Sequence, residues 1–180
     1  MIWKFEKRGP VTVLDVWSDS DHAGCTRTRR STSCSALMVG RHLLKFTSTT
    51  QTVIALSSGE SEFYGLVKSV AIGLGAKAMA KDLGVELAVR VRYDATAGAG
   101  IANRRGVGRV RHLDTQALWI QRHIQEGRVK LTKVLGTDNA ADLGTKHLDA
   151  VAMWKLLGVV GVQAIEGRSA KALEICGGTA

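Results

Sequence analysis

Hydrophobic periodicity changes at Ser57, and that change restricts the chain to architectures in which helices stack on a sheet. Before Ser57 the apolar residues come in strand-length runs. Val11, Val13, Val16 and Trp17 lead into a polar cluster at 18–22 and a turn at Gly24, which reads as a strand over 11–19. Runs at 34–40 and 43–49 flank Gly40 and Arg41, the pattern of a hairpin. After Ser57, Phe63, Leu66, Val67, Val70, Leu74, Ala78 and Leu83 recur at helical steps. Ser57 and Glu60 form an S-x-x-E capping box and Gly84 follows as a stop, so the spacing predicts a helix over 58–83. Gly65, Gly73 and Gly75 lie inside it at a cost of about 1 kcal/mol each relative to Ala, so tertiary packing must hold it.

The second half alternates similarly. A fourth strand is expected at 86–93, a short helix to about 103, and a Gly-Arg stretch at 104–111. Leu113, Ala117, Ile120 and Ile124 predict a helix over 112–125 ending at Gly127. A fifth strand at 128–135 and a last short helix from Thr137 or Asp138, carrying Asp142, complete the order β-β-β-α-β-α-α-β-α. A right-handed crossover through the long helix would set strand 4 beside strand 1 and parallel to it, so that Asp19 and Asp94 leave the sheet at one edge. At 180 residues and 45% hydrophobic, the chain is expected to form one domain over 11–158, with an N-terminal lead at 1–10 and a flexible tail at 159–180.

Charge and cysteine content narrow the function classes. The net charge is +9 and the pI near 9.8. Between Ile101 and Lys133, eight basic residues face two acids, a balance of +6, which favours a polyanionic partner such as nucleic acid. Cys25, Cys34 and Cys176 show no zinc-ligand spacing, so free thiols and no structural zinc are expected. No apolar run is long enough for a membrane span and no secretory signal is visible, so an intracellular location, cytoplasmic or nuclear, is expected.

Four carboxylates stand at element ends: Asp19, Glu62, Asp94 and Asp142. Glu62 is four residues before Leu66, at the margin of the buried stripe, whereas Glu60 has a local capping task. Asp15 and Asp21 remain alternatives to Asp19 on this reading.

The segments WSDSDHAG (17–24), RRSTS (29–33), ALSSGESEFYGL (55–66), RHLDTQALWIQRHIQEGRV (111–129) and ADLGTKHL (141–148) resemble, in order, motifs of the ribonuclease H domain of copia-type LTR retrotransposons. The resemblance spans about 12–150. It implies an α/β fold with a ribonuclease H-like five-stranded mixed sheet, three antiparallel strands and two parallel, flanked by helices. It also implies hydrolysis of the RNA strand of RNA/DNA hybrids with two Mg²⁺ ions, Mn²⁺ being a possible substitute, held by Asp19, Glu62, Asp94 and Asp142. The family pattern selects Asp19 over Asp15 and Asp21. In the family the domain works attached to a reverse transcriptase.

The chemistry suits the donors, because hard cations take oxygen ligands and a pair of them can serve an in-line phosphoryl displacement. Arg104, Arg105, Arg109 and Arg111, interrupted by Gly106 and Gly108, suit backbone phosphates, as do Arg29 and Arg30. The chain departs from the family at His22, Cys34, Gly59, Ala95 and His147, while all four acids are retained. His147 is expected on the surface, and Trp17, Trp119 and Trp154 in the core or half-buried. The rival class is a decayed retroelement fragment that binds nucleic acid without cutting it.

Overall fold

Alternating side chains on a central strand set the two faces of the sheet, and each face receives its own layer. The computed structural model describes residues 2–3, 9, 11–106 and 113–164. Strand β1 (Ile2–Trp3) precedes a meander of β2 (Val13–Ser20), β3 (Thr32–Val39) and β4 (His42–Thr50). Helix α1 (Ser58–Asp82), β5 (Ala88–Tyr93), α2 (Thr96–Asn103), α3 (Asp114–Gln125) and β6 (Val129–Lys133) follow. Two 3₁₀ segments (Gly136–Asp138 and Ala140–Gly144), α4 (Ala150–Val159) and β7 (Val162–Gln163) complete the order. The main sheet runs β4-β3-β2-β5-β6. β2, β3 and β4 pair antiparallel, while β5 and β6 join parallel. This is the expected five-stranded mixed sheet, with the crossover setting β5 beside β2.

On one face Leu14 and Val16 of β2, in register with Val89 and Val91 of β5, meet Phe63, Leu66 and Val70 of α1 in the main core. On the other face Trp17 packs with Met38, Ala140, Val160 and Val162 in a smaller cluster. One of the helix glycines acquires a reason here. A Cβ at Gly73 would stand 2.6 Å from Val89 Cγ1 and 3.1 Å from Val16 Cγ2, so α1 lies close on the sheet where it crosses β2 and β5, whereas one at Gly65 would make ordinary contact, 3.5 Å from the Asp19 carbonyl. Close packing offsets the intrinsic helix cost at Gly73.

Three expectations are corrected. Asp142 sits in the 3₁₀ segment Ala140–Gly144, not in a short α-helix. The last α-helix is α4, capped by the Asp149 side chain, which accepts from the Ala152 N–H at 2.8 Å. The boundaries drawn at 10 and 159 are also crossed: β1 pairs antiparallel with β7, and Val160 and Val162 are buried. Helix α3 starts at Asp114, and His112 lies outside the described residues. Among the described residues no helix is long and apolar enough to cross a membrane.

Candidate active site

The carboxylates converge because four separate elements end at the C-terminal edge of β2 and β5. Asp19 is the penultimate residue of β2 and is buried, and its neighbour across the ladder is Cys34 of β3. Asp94 follows directly on β5. Glu62 lies in the first turns of α1, whose start is clamped to the end of β2: Ser61 Oγ is 2.7 Å from Ser20 Oγ and donates to the Asp21 carbonyl at 3.2 Å. Gln51 Nε2 donates to the Ser61 carbonyl at 3.0 Å and to Ser33 Oγ at 2.8 Å, tying in β3. Helix α2 presses on the same turn, since a Cβ at Gly98 would stand 2.7 Å from Glu62 Cβ. Asp142 is brought in by Asn139, whose Nδ2 donates to the Ser18 carbonyl at 3.0 Å while its Oδ1 accepts from the Ala141 N–H at 3.2 Å. Ser48 Oγ donates to the Gly144 carbonyl at 2.6 Å and ties the far end of that segment to β4.

Carboxylate oxygens of Asp19, Glu62 and Asp94 lie within 4.8 Å of one another. Asp142 stands outside that group and is joined to it through Lys146. The Lys146 ammonium is 2.9 Å from Asp142 Oδ2, 3.6 Å from Asp19 Oδ1 and 3.7 Å from Asp94 Oδ2. The Thr145 hydroxyl donates to Asp19 Oδ2.

Crowding of acids in a partly dry site shows in their proton affinities. Burial, then the charges of Asp19 and Asp94, push Glu62 up to about 8. Burial, with Asp19 and Asp94 adding to it against Lys146, pushes Asp142 up to about 6. Asp19 is raised as well, chiefly by burial, with the Thr145 hydroxyl and Lys146 opposing. Burial and the neighbouring Asp19 charge hold the Cys34 thiol up at about 12, so it is an inert packing residue. Burial would lower Lys146, but Asp142, Asp19 and Asp94 outweigh it and raise it.

This donor set fits hard divalent cations. It is all oxygen, it converges from three elements, and among the described residues the buried Asp94 Oδ1 and Asp142 Oδ1 have no hydrogen-bond partner.

The neighbouring acids have other work. Asp15 takes Arg90 Nε at 2.5 Å and Arg92 Nε at 2.8 Å on the face of the smaller cluster, with Arg92 stacked 4.9 Å over the Trp17 ring. Asp21 accepts the Thr32 N–H and closes the β2–β3 loop. Glu60 accepts the Leu56 N–H at 3.0 Å and the Tyr64 hydroxyl at 3.1 Å, the local capping task read from the sequence. Arg29 and Arg30 are exposed on the loop before β3, Arg104 is half-buried and Arg105 exposed beyond α2, and Arg109 and Arg111 lie outside the described residues. Thr145 and Lys146 were not picked out from the sequence. The available signal was the four-residue spacing from Asp142 to Lys146, which suits an ion pair on a helical turn.

No family model matches the chain. Among solved structures it is similar to LC11-RNase H1, isolated from compost by a metagenomic approach (TM-score 0.56, 12% identity, 73% of this chain and 91% of that one). It is also similar to the N-terminal RNase H domain of a Mycobacterium tuberculosis protein (TM-score 0.52, 16% identity, 82% and 97%). The fold is therefore that of a ribonuclease H domain. In sequence the chain is similar to retrovirus-related Pol polyproteins of transposons: that of RE2 from Arabidopsis thaliana is 28% identical over 161 residues, and that of TNT 1-94 from Nicotiana tabacum 24% identical over 140. These alignments cover 88% and 77% of the chain, which itself spans about a tenth of the relatives' length (11% and 10%).

Proposed function

We propose that this domain is a divalent-metal-dependent endoribonuclease that hydrolyses the RNA strand of RNA/DNA hybrids, derived from a copia-type retrotransposon. The observation that carries this reading is the convergence of Asp19, Glu62 and Asp94 to within 4.8 Å at the edge of a ribonuclease H sheet. A solved LC11-RNase H1 complex with an RNA/DNA hybrid, similar to this chain at TM-score 0.51 and 14% identity, supports the substrate class. Similarity to Pol polyproteins of transposons supports a reverse transcriptase domain as the natural partner in the same polyprotein.

Asp19, Glu62, Asp94 and Asp142 would hold the metal, Mg²⁺ or in its place Mn²⁺. When bound, two such ions supply a nucleophilic water at neutral pH and charge neutralisation for the leaving oxygen. The protein's own contribution is placement. The Ser20–Ser61 and Asn139–Ser18 hydrogen bonds hold three chain segments at one sheet edge, so the ligands are organised before substrate arrives. Arg29, Arg30, Arg104, Arg105, Arg109 and Arg111 would contact backbone phosphates, which fixes the position of the hybrid without reading its sequence.

A hybrid with a labelled RNA strand tests the reading. Cleavage is expected with Mg²⁺ and none with chelator, whereas metal-independent binding without cleavage would identify a non-cutting remnant.

A further inference from the structure

Among the described residues Lys146 is the cation paired with these carboxylates, and its surroundings divide the site into two unequal halves. Oxygens of Asp19, Glu62 and Asp94 lie within 4.8 Å of one another, while Asp142 stands outside that group and pairs with the Lys146 ammonium. That ammonium spans Asp142 Oδ2, Asp19 Oδ1 and Asp94 Oδ2 at 2.9, 3.6 and 3.7 Å, the place a second cation shared with Asp142 would need. Two cations cannot stand there together. The lysine is also built to leave: its side chain is 43% exposed, and its backbone is held separately by the Lys146 N–H donating to the Asp142 carbonyl at 3.0 Å. With that backbone anchor kept, the stem can swing towards solvent.

We propose that Lys146 is a displaceable resident cation: it neutralises the Asp142 side of the centre in the metal-free protein and must withdraw before that side takes a divalent ion, so the two metal positions load unequally. This rests on the metal-dependent nuclease reading and adds to it an order of loading, first at Asp19–Glu62–Asp94 and then at Asp142.

The test is calorimetric titration of the whole chain with Mn²⁺, comparing wild type with Lys146→Met and Lys146→Gln, alongside thermal melts in chelator and in saturating Mn²⁺. The wild type is expected to show a tight and a weak event. Both variants are expected to tighten the weak one by roughly tenfold or more, the effect of removing one close like charge. Both should melt lower than wild type in chelator and regain the difference in Mn²⁺; a variant that folds only with Mn²⁺ supports the proposal equally. Unchanged or weakened Mn²⁺ binding in the variants overturns the displacement and leaves the nuclease reading standing. An equal loss of melting temperature with and without metal, or variants that fold in neither condition, also overturns it by making Lys146 a structural residue. Absence of Mn²⁺ binding in wild type and variants alike would sink the nuclease reading and the proposal with it.

Discussion

Gly98 of α2 lies directly against Glu62 of α1: a Cβ there would stand 2.7 Å from both Glu62 Cβ and the Phe63 backbone nitrogen. The glycine thereby sets where the α1 carboxylate sits relative to Asp19 and Asp94. Gly98→Ala must push the helices apart, because one of the obstructing atoms is backbone. A loss of about 1–3 kcal/mol is expected from overpacking, together with a weaker Mn²⁺ affinity. Denaturant melts and calorimetry check the two effects. Gly100→Ala, with open space around its Cβ, should do neither.

The acids at this edge of the sheet separate by role. Asp94→Asn and Asp19→Asn are expected to lower hybrid cleavage by about 100-fold or more, since in the proposed function each would be a charged metal ligand. Asp21→Asn keeps an oxygen that can accept the Thr32 N–H and should stay within about threefold of wild type in turnover, because its role is a loop hydrogen bond. Steady-state rates on a labelled hybrid distinguish the two outcomes.

Further back along the same face of β2, Asp15 is tied to Arg90 and Arg92. Burial opposes its ionisation, but the two guanidinium hydrogen bonds prevail and hold the carboxyl below its ordinary value. A depressed acid contributes stability above its unfolded value near 3.8, and that contribution is lost as pH falls through the folded one. Asp15→Asn should therefore cost about 1–3 kcal/mol at pH 7 and progressively less below pH 4, read by urea denaturation across pH.

The acidic cluster of Asp19, Glu62 and Asp94 has the opposite sign. Glu62, at about 8, binds its proton more tightly folded than unfolded, so in chelator the protein should gain stability as pH falls from about 8 towards 5. Asp142, at about 6, adds to this in the lower part of the range. Saturating Mn²⁺ should remove the gain, because a bound cation favours the ionised forms. Melting temperature against pH, with and without metal, gives the comparison.

What was legible in the chain follows from how local each signal is. The strands and α1 follow from periodicity and the Ser57 cap, Asp19 and Glu62 from motifs lying within those elements, and Asp94 from its place at the end of a strand-length run. The 3₁₀ segment of Asp142 was not legible, because it depends on Asn139 reaching Ser18, 121 positions away in sequence. The β1–β7 pair was missed for the same reason, being two residues long on each side and joining the ends of the fold. Lys146 had only its spacing from Asp142 to mark it; its reach to Asp19 and Asp94 exists only once β2 and β5 are adjacent. Trp119 and Trp154, expected in the core or half-buried, are 37% and 43% exposed, since α3 and α4 each turn one aromatic outward. His147 is exposed as expected.

Anomalous diffraction from crystals soaked in Mn²⁺ reports whether the clustered acids hold a cation. A peak coordinated by carboxylate oxygens of Asp19, Glu62 and Asp94 is expected. A Mn²⁺-saturated crystal with no peak among these three side chains would contradict the proposed metal-binding role.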